Sequence, residues 1–157
     1  MVRIRRPPFW PGYRPVATIA LVFCLAVVSA SCAKRMRRAG IPSDAQTILD
    51  TAIQDIDAGR YEKLYNDAGE EWRQDSTLEE SKATLQRLHD KWGRAQVRNL
   101  DTAREEQTAT APIPGHSLIA VYQTSFERGN AMETFTLIEH GGKWYLAKYL
   151  VTSTALK

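Results

Sequence analysis

The hydrophobic pattern of this chain changes its period once, near Ala95, and that change restricts the fold more than any other feature. Between Ala45 and Ile56 the apolar residues recur every three or four positions, which is typical of an amphipathic helix. After Ala95, segments rich in β-branched and aromatic residues are separated by glycine-containing turns, which is typical of strands. Helices followed by strands predict an α+β fold, with about three helices packed on an antiparallel sheet of about four strands.

Local signals predict where the helices begin and end. The first helix is expected to end at Gly59, a second to span residues 61–68, and Trp72 to follow on a turn. A third helix is expected to run down to Trp92. Capping boxes, which satisfy free N–H groups at a helix start, are predicted at Ser43/Gln46 for the first helix and at Ser76/Glu79 or Thr77/Glu80 for the third.

Strands are predicted over residues 95–106, 117–127, 131–139 and 143–152. Strict alternation along the last strand places Trp144, Leu146 and Leu150 on one face, and Tyr145, Ala147, Tyr149 and Val151 on the other. Both faces of this strand would then be apolar. One face is expected to pack on the helices, and the other to be covered by the N-terminal linker or by a second copy in a homodimer.

The N-terminal part has the pattern of a bacterial export signal. Several arginines precede an apolar run over residues 16–32, and small residues stand at its end. This pattern predicts three segments: a signal peptide or membrane anchor over residues 1–32, a basic linker over 33–42, and an α+β domain over 43–157. The expected location is the periplasm or the outer face of the bacterial cell envelope, attached to a membrane.

Three treatments of this segment are compatible with the sequence. The run Val28-Ser29-Ala30-Ser31-Cys32 resembles the lipobox of bacterial lipoproteins, which makes Cys32 a candidate for lipidation, although Ser29 stands where that pattern prefers leucine. Cleavage by an ordinary signal peptidase would release a soluble product. The run is also just long enough to span a bilayer as an uncleaved helix.

Charge is distributed unevenly along the chain. Residues 1–42 contain eight of the 21 lysines and arginines and no acidic residue, so residues 43–157 combine 13 basic with 18 acidic side chains. A domain with a net charge of −5 repels phosphate backbones, which argues against nucleic acid as a partner. Both cysteines, Cys24 and Cys32, precede the domain, so it contains neither a disulfide nor a reactive thiol.

The domain resembles a bacterial family known as domain of unknown function 4019. The resemblance rests on the order and spacing of four segments, Asp57-Ala58-Gly59-Arg60-Tyr61, Trp92-Gly93, Val121–Phe126, and Glu133–Leu137 followed by Gly142–Tyr145. It covers about residues 45–152. It implies a cone-shaped fold similar to nuclear-transport-factor-2-like and cystatin-like domains, together with an export or lipoprotein signal. It implies no activity and no functional residue.

The sequence contains no pattern that predicts a metal site, a cofactor site or a catalytic residue. His89, His116 and His140 lack metal-ligand spacing, and neither a nucleophile elbow nor a phosphate-binding glycine loop is present. Cone folds include isomerases and dehydratases, which place a carboxylate and a tyrosine in an apolar cavity. Asp57 and Asp67 are candidate acids for such an enzyme, whereas Glu133 is expected to face water.

Non-catalytic binding of a small ligand or a protein partner is therefore the favoured hypothesis. The aromatic residues expected to form the pocket or interface are Tyr61, Tyr65, Tyr122, Phe126, Trp144 and Tyr149. Two alternatives remain. One is an acid–base enzyme using Tyr61, Tyr65 or Tyr122, and the other is a structural envelope protein that oligomerises through its sheet.

Overall fold

The computed structural model describes residues 38–108 and 115–153. The helices are α1 (Ser43–Asp57), α2 (Tyr61–Asp67), α3 (Glu70–Asp75) and α4 (Leu78–Trp92). The strands are β1 (Ala95–Thr108), β2 (Gly115–Phe126), β3 (Gly129–His140) and β4 (Lys143–Ser153), paired antiparallel in the order β1-β2-β3-β4. The predicted α+β class is confirmed. Four helices are present within these residues because Trp72 lies in the short helix α3 and not on a turn.

The core lies between one face of the sheet and the helices. From Leu118 to Thr124 on β2 and from Ala131 to Leu137 on β3 every second side chain is buried, as expected for strands with one covered face. Helix α1 packs mainly against β4, and α4 packs mainly against α2. The buried apolar residues that meet here include Ala45, Leu49, Ala52, Leu64, Leu118, Ala120, Phe135, Leu137 and Leu146.

The capping box at Thr77/Glu80 is confirmed, since Thr77 accepts from the N–H of Glu80 and the Glu80 carboxylate accepts from the N–H of Thr77. The predicted box at Ser43/Gln46 is wrong. Pro42 occupies the N-cap position of α1, and the buried Gln46 side chain accepts instead from the N–H of Arg38, at 3.2 Å. The predicted alternative at Ser76/Glu79 does not begin α4, because the N-cap of this helix is Thr77 and not Ser76.

A β-bulge corrects the predicted faces of β4. Thr136 pairs with Lys148 and Leu137 pairs with Leu146, so Ala147 is an extra residue without a partner on β3. The extra residue reverses the alternation, and Tyr149 therefore joins Leu146 on the helix-covered face while Leu150 points away from it. Strict alternation was wrong here, and β4 does not present two apolar faces along its length.

Residues 38–42, predicted as part of the linker, pack on the domain. Ile41 is only 8% exposed and belongs to the core. The Arg38 guanidinium lies 2.5 Å from the Asp50 carboxylate and 5.7 Å from the centre of the Tyr122 ring. The export run, Cys32 and residues 33–37 lie outside the described residues. Within the described residues, no helix is long and apolar enough to cross a membrane.

Candidate functional site

A buried carboxylate, Glu133, occupies the middle of β3. The register pairs it with Tyr122 on β2 and Val151 on β4. Its side chain is 0% exposed, so the expectation that it faces water was wrong. Glu133 is two and four residues before Phe135 and Leu137, so the three side chains lie on the same face of β3. This spacing was the sequence signal that Glu133 points into the core.

Every hydrogen bond to this carboxylate comes from a side chain on another strand. Arg98 Nε on β1 donates to Oε2 at 2.6 Å, and Thr124 Oγ1 on β2 donates to the same oxygen at 2.5 Å. The Tyr149 hydroxyl on β4 donates to Oε1 at 2.6 Å. Glu133 thus ties together all four strands, and we call these four residues with Asp57 the Glu133 network.

Asp57 connects the network to the helical layer. This residue ends α1, and its carboxylate accepts two hydrogen bonds from the Arg98 guanidinium, at 2.7 and 2.8 Å. Burial by itself lowers the pKa of Arg98, but the hydrogen bonds to Asp57 and Glu133 outweigh it and raise that pKa above its ordinary value. Arg98 therefore remains a cation between two carboxylates.

Tyr149 holds its proton firmly in this network. Burial raises the pKa of its hydroxyl well above the ordinary value, and the negative charge of Glu133 raises it further. The hydroxyl is committed as a donor to Glu133. Because both oxygens of Glu133 accept hydrogen bonds and the group is sealed from solvent, the network is suited to a structural role more than to proton exchange with a substrate.

A small cavity lies beside the network, where the start of β1, the end of β2 and α4 meet. Its volume is about 30 Å³, which suits an ordered water and little more. The lining includes Tyr61, Trp92, Arg98, Phe126 and Tyr149. The structure therefore brings Tyr61, Phe126 and Tyr149 of the predicted aromatic set together around one space.

A larger and mainly apolar groove of about 200 Å³ opens between α3, α4 and β4. We call it the α4–β4 groove. Leu85 and Leu88 of α4 form one wall, with Trp72 of α3, and Ala147, Lys148 and Tyr149 of β4 form the other. Leu85, Leu88 and Tyr149 also line the small cavity, so the two spaces are neighbours. Leu85 and Leu88 share the apolar face of α4, which was the sequence signal for this wall.

The other aromatic candidates lie elsewhere. The Tyr65 hydroxyl donates to the carbonyl of Ser76 at 3.1 Å, which fixes the turn between α3 and α4. Tyr122 lies in the core against Phe135, and its buried hydroxyl has no hydrogen-bond partner among the described residues. Trp144 lines a different depression, between α1, α2 and β4. The predicted set is therefore not a single site.

Asp67, a candidate acid in the sequence, forms an ion pair with Lys63 at 2.6 Å on the surface. Lys63 also reaches the buried Asp55, which Arg60 contacts as well. These two cations lower the pKa of Asp55 against the effect of its burial, which raises it. The cluster fixes α2 against α1. Asp55 and Asp67 lie at the rim of the same depression as Trp144, and both carboxylates are paired with cations there.

His116 joins three strands at the opposite end of the sheet. Its Nε2 lies 2.8 Å from the Glu105 carboxylate of β1, and its Nδ1 contacts the Glu139 carboxylate of β3. The ring packs edge-on against Trp144 of β4, with 4.9 Å between centroids. Hydrogen bonds to Glu139 and then Glu105 raise the pKa of His116 above its ordinary value.

Residues 38–108 and 115–153 contain no group of three or more His, Cys, Asp or Glu side chains placed to hold a metal ion.

Comparison with known proteins supports the family assignment. Residues 49–149 match the family described as "Protein of unknown function (DUF4019)", which is most of the chain, and the protein belongs to that family. A comparison with curated proteins gives no match.

The first prediction concerns Glu133. Replacing it by glutamine leaves Arg98 buried with one carboxylate in place of two, and removing one partner of a buried ion pair typically costs about 3 kcal/mol or more. We expect Glu133→Gln to lower the free energy of unfolding by about that amount in urea denaturation.

The matched control is Asp57→Asn, which removes the half-exposed carboxylate on the other side of the same guanidinium. An exposed partner contributes about 1 kcal/mol or less. Equal losses in the two variants would contradict the central role of Glu133.

The second prediction concerns pH. The pKa of His116 in the folded protein is raised above an unfolded value of about 6.5, so its protonated form stabilises the fold fully below about pH 6.5. That contribution is lost as the pH rises through the folded pKa. The free energy of unfolding should therefore decline above about pH 6.5, and decline less in His116→Gln.

Urea denaturation across a pH series measures both slopes. Glu139→Gln removes the carboxylate that contributes most to the raised pKa, so it should flatten the same part of the curve. A decline in His116→Gln as steep as in the wild type would show that another group is responsible.

Proposed function

We propose that this protein is exported, tethered to a membrane of the bacterial cell envelope, and binds a small ligand or a protein partner without catalysing a reaction. The observation that carries the proposal is the α4–β4 groove, an apolar opening of about 200 Å³ beside the sheet. Apolar concave sites with a few polar groups are the usual binding sites of proteins. Ser76, Ser81 and Thr84 are polar residues of its lining, and their hydroxyls form hydrogen bonds within the protein.

The state of the Glu133 network supports a non-catalytic role. An acid–base enzyme needs a carboxylate that can exchange a proton with a bound molecule. Glu133 has no exposed surface, and three side chains already donate to its oxygens. Tyr65 and Asp67, two of the candidate groups for an enzyme, are engaged in contacts away from the groove.

Tethering is supported by the sequence of residues 16–32 and by the basic residues on both sides of it. Arg38 contacts α1, and Ile41 belongs to the core. Only five residues separate Cys32 from Arg38. An extended chain covers about 3.6 Å per residue, so a lipid on Cys32 would hold the domain within roughly 22 Å of the bilayer surface.

Oligomerisation through the sheet stays a prediction, as does the cone-fold likeness to nuclear-transport-factor-2-like and cystatin-like domains. The β4 bulge removes the reason that first suggested a homodimer, namely two apolar faces on one strand. The outer face still carries two exposed apolar side chains, Val97 (52%) and Leu150 (45%). They lie singly among polar residues, which is ordinary for a protein surface.

The third prediction tests the groove. A library of fluorinated fragments is screened by ¹⁹F NMR against the full chain in lipid nanodiscs and against Leu88→Lys, which places a charge in the groove wall. We expect the apolar fragments that bind the wild type to bind the variant at least about tenfold more weakly, because a charged amine disfavours apolar ligands in the same space.

Ala83→Lys is the matched control, since Ala83 is an exposed residue of the same helix and does not line the groove. Binding to this variant should equal the wild type. Fragments that bind all three proteins alike, or none of them, would refute the groove as the binding site.

The fourth prediction tests the tether. Intact-mass analysis of protein extracted from membranes is expected to show loss of residues 1–31 and the added mass of acyl chains. Cys32→Ser should abolish both changes. Full-length mass without lipid would instead identify an uncleaved anchor helix, and a shorter product free of membranes would refute tethering.

A further inference from the structure

Strand β4 lies at an edge of the sheet, and part of its outer side is unpaired. The N–H of Gly69, between α2 and α3, donates to the carbonyl of Leu146 at 2.9 Å and so occupies this edge at that residue. Among the described residues, no other segment makes a main-chain hydrogen bond to the stretch from Lys148 to Thr152 on that side. Unpaired N–H and C=O groups at a sheet edge are a template for another strand.

The opposite edge of the sheet, β1, is protected against pairing. Its register shifts between Ala95 and Val97 and again between Leu100 and Thr102. Bulges and charged side chains are the means by which natural proteins block edge pairing, and β1 carries many charged residues. From Lys148 to Thr152, β4 has a single charged residue and no register shift beyond the bulge that precedes it. Among the described residues, the stretch from Lys148 to Thr152 is therefore the less protected of the two edges.

The open edge also adjoins the α4–β4 groove, since Ala147, Lys148 and Tyr149 line it. Side chains of an added strand would alternate in direction. One set would enter the groove against Leu85 and Leu88, and the other would lie on the outer face near the exposed Leu150. When a peptide adds to a sheet as a strand, its main-chain hydrogen bonds supply the affinity. Pockets that receive its alternate side chains supply the specificity.

We infer that the α4–β4 groove binds an extended peptide segment of a partner protein, which adds to β4 as a fifth strand and places apolar side chains at alternate positions. This inference rests on the proposed function and names the class of ligand. Lys148 has no ion pair among the described residues, so a carboxylate on the peptide would find a partner there. Asp75, on α3, lines the groove near its other wall and would disfavour a second acid.

A single extended chain fits this edge better than a second copy of the protein. The open stretch is five residues long, and Asp75 of α3 lines the same groove as Lys148, the first residue of that stretch. If two copies paired through β4, each would present the same surface to the other, because a two-fold contact uses the same surface on each partner. Helices α3 and α4 of both copies would then crowd the same short stretch. A separate peptide brings no helices.

The experiment uses a displayed library of random ten-residue peptides, selected on the full chain in lipid nanodiscs and counter-selected on Leu88→Lys. We expect enrichment of peptides with alternating apolar residues and an acidic residue. A selected peptide is then synthesised in two forms, methylated at one or the other alternate set of backbone nitrogens. One form should bind about tenfold or more weakly, because its methyl groups replace the N–H donors that face β4.

Two further measurements sharpen the result. Lys148→Glu should weaken the binding of an acidic peptide severalfold. It should strengthen the binding of a version of that peptide in which the acidic residue is replaced by lysine. Amide hydrogens between Lys148 and Thr152 should exchange more slowly when the peptide is bound, whereas those of α4 on its solvent side should not change.

The inference and the proposed function fail separately. If fragments bind the groove but no peptide is enriched, or both methylated forms bind equally, the groove is a small-molecule site and strand addition is refuted. If a selected peptide binds Leu88→Lys as well as it binds the wild type, the peptide site lies elsewhere and the inference is also refuted. If neither fragments nor peptides distinguish Leu88→Lys from Ala83→Lys, the groove itself is not a binding site.

Discussion

The rest of the structure depends on the burial of one negative charge, Glu133, in the centre of a four-stranded sheet. A carboxylate with no exposed surface is tolerated only when cations and donors replace its water, and here Arg98, Thr124 and Tyr149 do so from the three other strands. Arg98 also binds a second carboxylate, that of Asp57 at the end of α1. A network of ion pairs and hydrogen bonds thus runs from the end of α1 to every strand of the sheet.

This arrangement leaves two different regions side by side, one in which polar groups are hydrogen-bonded to one another and one that is mainly apolar. Each hydrogen bond that stabilises Glu133 also withdraws it from a ligand. The α4–β4 groove has the opposite character. Leu88 and Tyr149 are half-buried there and lie beside an open strand edge, while Leu85 is buried beneath them. Tyr149 belongs to both features, with its hydroxyl in the network and its ring in the groove wall.

Much of the fold was predictable from periodicity, because helices and strands repeat their buried positions at different intervals. The four strands and the capping box at Thr77/Glu80 are examples. The candidate site was predictable only in part. Tyr61, Phe126 and Tyr149 do meet around one cavity, whereas Tyr65, Tyr122 and Trp144 do not join them. Aromatic residues mark buried positions in general, and sequence spacing does not say which of them share a space.

The sequence by itself determined the α+β class, the family, the negative charge of the domain and the order of its elements, since each depends on composition or on local repeats. Tertiary structure decided where Glu133 points, that Ala147 forms a bulge, and that the open edge of β4 lies beside α4. The physical reason is that a buried charge or a bulge is stable only through partners distant in the chain. Arg98 lies 35 residues before Glu133, and Tyr149 lies 16 residues after it.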